Sequence, residues 1–244
     1  MNISLELVPR EKQSFVQEVG WALEHIDAIT HINIPDLVRL PTRSWEAAAW
    51  ISDSLPVIVH VRACDVGKHE LDFFYRTICE EYGISHILVV RGDDGEEKEG
   101  FSSVEMIRQL HQMDASLSLY AALDPYRQSL KEEMNYVEEK LSSGASGIFT
   151  QPFFEEKLLL EYMKVCDNLP VWWGVSPILS GKSLSYWREK NRVPLPSDYD
   201  ISWEANIQWA KRVKDLCALY SSFSLYFMPI RVDITRYLSP IFEM

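Results

Sequence analysis

The strongest constraint on the fold is an alternation that runs through almost the whole chain. Short β-branched or apolar runs fall at Ile3–Val8, Ile26–Ile34, Val57–Val61, His86–Val90, Ser116–Ala122, Gly147–Thr150, Val171–Val175 and Ser222–Met228. Stretches with helical spacing lie between them: Glu11–Leu23, Ser44–Ser52, Lys68–Tyr82, Ser102–Gln112, Leu130–Leu141, Phe154–Val165, Ser183–Lys190 and Trp203–Tyr220. Short apolar runs between turn-forming residues read as buried strands, and apolar recurrence at three and four residues reads as helix. Strand and helix in strict turn point to parallel pairing, because each parallel pair needs a crossover of about a dozen residues or more. Eight strand-like runs, all but the last followed by a helix, predict a (β/α)8 TIM barrel, one domain over residues 1–244. The last helix then either precedes the eighth strand, or strands seven and eight are joined by a long excursion through Leu195–Ile201. An open doubly wound sheet shows the same alternation, but the glycine fingerprint that holds a dinucleotide after its first strand is absent.

Charge narrows the partners. The 244 residues carry 24 basic and 36 acidic side chains, a net charge of −12. A field of that sign repels phosphate, which argues against nonspecific nucleic-acid or anionic-membrane binding. Met1–Arg10 has Glu6 inside its apolar stretch and does not read as a signal peptide, and no run is long enough for a membrane span. Cys64, Cys79, Cys166 and Cys217 are widely spaced, so neither a zinc site nor a disulfide framework is predicted. A cytoplasmic location is the expectation.

In a barrel of this kind chemistry gathers where the strands end and the βα loops begin. Strand 1 ends near Glu6, and strand 2 is read as ending at Thr30, His31 and Asn33. His60 closes strand 3, with Arg62 and Asp65 beyond it, and Arg91-Gly92-Asp93 closes strand 4. Thr150-Gln151 closes strand 6 ahead of Phe153 and Phe154, and strand 8 runs out through Tyr226 to Arg231. Polar groups converge on one rim.

Each of these residues has a plain structural reading beside the chemical one. Glu6 is either an acid with a raised pKa, suited to protonating a substrate nitrogen or carbonyl, or a carboxylate paired with Arg10 or Arg39 on an exposed edge. Asp93 either hydrogen-bonds a polar heterocycle or closes an Asx turn, and Arg91 offers a fork of donors to a phosphate or carboxylate. His60 is a catalyst or a hydrogen-bonded core histidine. Gln151 with Phe153 and Phe154 pairs an amide with rings that can stack on a heterocycle, and aromatic pairs at a helix start also serve as core.

Together these residues resemble the methylenetetrahydrofolate reductase family. Its Glu-Phe-Phe-Pro-Pro strand end looks like Glu6-Leu7-Val8-Pro9-Arg10, its His before Thr-Cys looks like His60 with Ala63-Cys64-Asp65, and its Leu-Arg-Gly-Asp looks like Val90-Arg91-Gly92-Asp93. A Lys followed by a strand ending Thr-Gln-x-Phe-Phe is matched by Lys140 and Thr150-Gln151-Pro152-Phe153-Phe154. Pro-Gly-Ile-x-Pro-Ile looks like Trp173-Gly174-Val175-Ser176-Pro177-Ile178. The resemblance implies hydride transfer between 5,10-methylenetetrahydrofolate and 5-methyltetrahydrofolate through FAD and NAD(P)H. Carried over by position, Glu6 is the acid that opens the folate ring, and Asp93 bonds the pterin and influences the flavin. Gln151, Phe153, Phe154 and Arg231 bind folate, Arg231 at its glutamate tail. Thr30, His60, Arg91, Gly92 and Lys140 fall at flavin-binding positions.

The departures cluster on the flavin side. Leu123-Asp124-Pro125-Tyr126-Arg127 stands where the family has Tyr-Pro-Glu-x-His, and an acidic loop, Asp94-Gly95-Glu96-Glu97, replaces a proline-rich one. Glu133, Tyr136 and Glu139 occupy the helix that faces the cofactor in the family. The expectation is a divergent reductase with weakened or lost FAD binding, in which NADH reduces the folate directly. A folate-binding barrel serving another one-carbon enzyme, and an unrelated barrel hydrolase or aldolase using Glu6 and His60, are the competing readings. Homo-oligomerisation is left open.

Overall fold

Eight parallel strands close into a barrel in the order β1 to β8, as the alternation predicts. The computed structural model describes residues 1–51, 55–92 and 100–243. The strands are β1 (Ile3–Glu6), β2 (Ile29–Ile34), β3 (Val57–Arg62), β4 (His86–Val90), β5 (Ser118–Leu123), β6 (Gly147–Thr150), β7 (Val171–Val175) and β8 (Phe223–Phe227). Helices α1 (Lys12–His25), α2 (Ser44–Ala48), α3 (Leu71–Tyr75), α4 (Ser103–Met113), α5 (Leu130–Ser142) and α6 (Glu156–Val165) follow the first six strands. Between β7 and β8 the chain makes the expected excursion, with α7 (Gly181–Ser185) and then α8 (Trp203–Cys217). Both α3 and α7 run on into a wider π-helical turn, Arg76–Glu81 and Tyr186–Lys190.

One helix was not expected. After β8 the chain forms α9 (Ile234–Phe242), capped by the Asp233 carboxylate accepting from the Arg236 amide. Its buried residues Ile234, Tyr237, Leu238 and Ile241 keep helical spacing, while Pro240 near its end makes the segment read as irregular. The barrel therefore carries its full complement of helices, and the excursion comes in addition.

Side chains alternate along each strand, and both faces are buried, which is why the strands read as nearly unbroken apolar runs. Outward residues such as Leu5, Ile32, Val59, Ile87, Trp173 and Leu225 join one core with the helices. Helix α1 presents Phe15, Val19 and Ala22 to it, and α4 presents Met106, Ile107 and Leu110. Ser102 with Glu105, and Ser129 with Glu132, form reciprocal boxes that start α4 and α5 where the strand signal stops. Inward residues Ile58, Leu88, Tyr120, Phe149, Trp172, Tyr226 and Met228 fill the lumen as a second cluster. Phe149 stacks on Trp172 at 5.0 Å and meets Tyr120 and Tyr226 edge-on at 5.2 and 5.0 Å. Burying one such ring contributes about 1.5–3 kcal/mol.

The excursion after β7 builds a third cluster over the mouth, in which Ile178, Trp187 and Val193 gather Tyr126, Phe154, Leu184, Leu195, Tyr199 and Ile230. At the opposite end β1 and β2 shift register between Ile3 and Ser4. Thr30 fills that irregularity, its hydroxyl accepting from the Ile3 amide at 3.2 Å and donating to the Ile3 carbonyl at 3.1 Å. The expectation that Thr30 ends strand 2 is thereby corrected: it is the second residue of β2, and Ile34 is the last.

Candidate active site

Inward alternation brings three polar side chains to the mouth from neighbouring strands. Glu6 is the last residue of β1 and lies in register with Asn33 of β2, and Asn33 with Ile58, two residues before His60 on β3. Leu5 and Leu7, which flank Glu6, turn outward into the core, so the odd acid in an apolar run is the residue that faces the lumen. Asn33 donates through Nδ2 to the Ser4 hydroxyl at 2.8 Å. Its Oδ1 and the Nε2 of His60 are buried without a protein partner. Buried polar atoms left open in a concave site are places where a ligand supplies the missing hydrogen bond.

The electrostatics single out Glu6. Its side chain is 10 % exposed, and burial raises its carboxyl to about 7, against the opposing effect of the hydroxyl that Tyr226 donates to it. His60 Nε2 stands 3.9 Å from the same carboxyl oxygen, but burial holds the imidazole down to about 3. At neutral pH the ring carries no charge, so the contact is not an ion pair. Neither Arg10 nor Arg39 bonds Glu6, which rules out the exposed-edge reading. A carboxyl poised near neutrality in a concave site is suited to handing a proton to a bound base.

Around this group the rim is tied together by pairs. Arg43 meets Asp36 at 2.5 Å between β2 and α2, and Arg62 meets Asp65 at 2.7 Å after β3. Gly92 has φ +96°, and a Cβ there would meet the Cys64 sulfur at 2.4 Å, so glycine is required for β4's exit to pass β3's. Arg91 is exposed beside it, whereas Asp93 and the acidic loop Asp94–Glu97 lie outside the described residues. Arg231, exposed and at φ +57°, lines a small opening together with Glu6, Arg10 and Glu18. Gln151 follows Phe149 and Thr150 at the end of β6 and is half-buried, its backbone N–H donating to the Leu123 carbonyl at 2.8 Å.

Other predicted site residues part company with this group. Phe153 is fully buried outside the barrel, against Tyr162 at 5.4 Å and Trp173 at 5.6 Å, and its carbonyl accepts from Trp209. It is core, and only Phe154 of the pair reaches the mouth, stacked edge-on with Trp187 at 5.0 Å. Thr30 sits at the far end of the barrel, as described. Lys140 is 3 % exposed, donates to the Ala122 carbonyl at 2.5 Å and lies 3.8 Å over the Tyr136 ring. Burial lowers it to about 8. The ammonium is thus bound inside the protein. Glu133, with no exposed surface, accepts from Arg127 at 2.8 Å, Gln128 at 2.7 Å and the Asp124 amide at 3.0 Å. Arg127 in turn covers the Tyr136 ring at 5.0 Å.

Two residues of the site, Asn33 and Tyr226, were read from sequence only as strand-end residues, with no chemical role. Their signal was the inward phase of β2 and β8, readable only once the strand bounds are known. Among the described residues no group of His, Cys, Asp or Glu could hold a metal ion, no disulfide is formed, and no helix is long and apolar enough to cross a membrane.

The profile of the methylenetetrahydrofolate reductase family matches residues 12–202. Among curated proteins, the 5,10-methylenetetrahydrofolate reductase of Escherichia coli K12 is 26% identical over 219 residues, covering 81% of this chain and 71% of that one. That of Pectobacterium carotovorum is 23% identical over the same shares. The match to the Salmonella typhimurium enzyme, 24% identical, covers 59% of this chain and 52% of that protein. With the closed barrel, the acid at the end of its first strand and a profile match over most of its length, the chain belongs to the methylenetetrahydrofolate reductase family of oxidoreductases.

Proposed function

We propose that the protein reduces 5,10-methylenetetrahydrofolate to 5-methyltetrahydrofolate, taking the hydride from NAD(P)H without FAD held in the family's manner. The observation that carries the reading is Glu6: a lumen-facing carboxyl raised to about 7, between a hydroxyl donor and a neutral imidazole. In the proposed reaction Glu6 gives its proton to a folate nitrogen as the carbon–nitrogen bond of the five-membered ring breaks. The iminium left behind accepts a hydride, and the methylene becomes a methyl group. Asn33 Oδ1 and His60 Nε2 offer open positions to the polar edge of the pterin, Gln151 approaches from β6, and Arg231 offers a cation to the carboxylates of the tail. Asp93 remains part of the proposal by resemblance alone.

The flavin part rests on positions that do not fit. FAD held in the family's manner draws on Thr30 and Lys140 among others, and here Thr30 bonds Ile3 at the opposite end while Lys140 is committed to Ala122 and Tyr136. Arg127, the nearest other cation, is held by Glu133. A diphosphate brought against that helix finds both cations, Lys140 and Arg127, already engaged. Direct transfer from the dihydronicotinamide is the reading these contacts support.

The test is a titration of the purified protein with 5-methyltetrahydrofolate while its visible spectrum is recorded, followed by NADH and NADPH oxidation with methylenetetrahydrofolate. Folate binding and turnover without flavin absorption are expected. Stoichiometric bound flavin overturns the flavin-free part, and failure to bind folate overturns the whole reading.

A further inference from the structure

The hydroxyl that enters Glu6 from below comes from β8, across the closing seam of the barrel. Tyr226 pairs with Ser4, two residues before Glu6 on β1, so both side chains point into the lumen one level apart. The tyrosine is 4 % exposed and its ring is fixed edge-on against Phe149 at 5.0 Å, with His60 at 6.5 Å on its other side. Its hydroxyl donates to one oxygen of the carboxyl, the same oxygen that faces His60.

We propose that Tyr226 is a positioning residue for the acid: its hydroxyl holds Glu6 Oε2 so that Oε1 carries the transferable proton toward the mouth, and it sets the pH range over which that proton is available. The inference rests on the reading of Glu6 as the acid. A donor into a carboxyl favours the ionised form, so it offsets part of the effect of burial. Burial and the neighbouring Glu6 raise Tyr226 itself well above its ordinary value, so it remains a donor through the working range. The other groups around Glu6 do not substitute for it. His60 is neutral, Asn33 is committed to Ser4, and Arg10, Glu18 and Arg231 stand at the outer edge of the opening without a bond to the carboxyl.

Tyr226→Phe keeps the ring that packs on Phe149 and removes the hydroxyl alone. Infrared or carbon-13 detected titration of Glu6 in the free protein, assigned by its loss in Glu6→Gln, gives the first readout. The midpoint is expected to rise by about one pH unit in Tyr226→Phe, since a hydrogen bond to a charged group shifts a titration on that order. Turnover is the second readout: kcat falls, the folate KM changes little, and the alkaline limb of the pH–rate profile moves up with the midpoint. An unmoved midpoint overturns the proposal whatever the activity. A midpoint that rises in Tyr226→Phe while the wild-type protein never reduces folate overturns the reductase reading instead, so the two failures are told apart. Should Tyr226→Phe not fold, the carbonyl stretch of protonated Glu6 in the wild type decides. A hydrogen-bonded frequency is expected, and that of a free carboxyl overturns the proposal.

Discussion

His60 faces Glu6 across 3.9 Å, and one cause, burial, moves both toward their uncharged forms by shifting them in opposite directions, Glu6 up to about 7 and His60 down to about 3. The pair is an acid beside a neutral ring. An ion pair there would lock the carboxyl in its ionised form and leave no proton to donate.

Glu6→Gln is therefore expected to separate binding from chemistry. The amide keeps the shape and still accepts from Tyr226, but it has no acidic proton. Turnover should fall by about 10²–10⁴-fold, with folate affinity nearly unchanged. Steady-state kinetics beside equilibrium binding checks this, and unaltered kcat removes Glu6 from the mechanism.

Acid should unfold the protein earlier than carboxylate protonation alone accounts for. Burial lowers His60 to about 3 and His31 to about 4, and lowers His86. Each ring binds a proton more readily in the unfolded chain, so stability is lost as pH falls below the ordinary histidine value of 6.5 toward those lowered values. Glu6 works the other way: raised from 4.5 to about 7, its contribution is complete below 4.5 and is lost as pH rises through 7. Three rings outweigh one carboxyl between these limits. Urea midpoints should be lower at about pH 5 than at about pH 7. A midpoint that is equal or higher at the acid pH removes the histidines as the trigger.

Gly174→Ala should disturb the folate side while leaving the acid in place. A Cβ at Gly174 would lie 2.5 Å from the Thr150 carbonyl and 3.0 Å from the Gln151 carbonyl carbon. Backbone must then move, and Gln151 moves with it. The expected result is a loss of about 1–3 kcal/mol in stability and weaker folate binding, read by thermal melting and titration. Unchanged binding dissociates Gln151 from the substrate.

Glu133 and Lys140 should respond in contrasting ways. Glu133→Ala removes the acceptor that exposed Arg127, half-buried Gln128 and the Asp124 amide share, and should cost about 1–3 kcal/mol. Lys140→Met keeps the volume and removes a single ammonium from a buried site, so stability should change by less than about 1.5 kcal/mol. Folate binding should persist in the second variant. Loss of a bound flavin on that change would instead return Lys140 to cofactor duty.

The fold was legible because both faces of every strand are buried and every crossover is helical, so element boundaries fall where apolar runs stop. The helix after β8 escaped because Pro240 obscured a regular spacing at Ile234, Tyr237, Leu238 and Ile241. The acid was legible for the same reason as the strands: one charge in an apolar run stands out. Phe153 and Phe154 look alike in sequence, yet one sits in the outer core and the other under the cap, because a strand's phase is lost at its last residue. Lys140 misled for a different reason. A lysine stem is long enough to turn from solvent to a carbonyl on β5, and sequence spacing does not report which.

The aromatic filling of the lumen has a consequence for how protons move. Phe149 and Trp172 lie flat against each other across the middle of the barrel, with Tyr120 and Tyr226 closing the sides. Histidines 31 and 86, which touch Trp172 and Tyr120, thus lie on the floor side of this layer of rings and Glu6 on the mouth side. Under the proposed reading, folate bound at the mouth covers the side on which Glu6 lines an opening. The acid is then a single-shot device: it must be loaded before the substrate arrives, and it is reloaded after the product leaves.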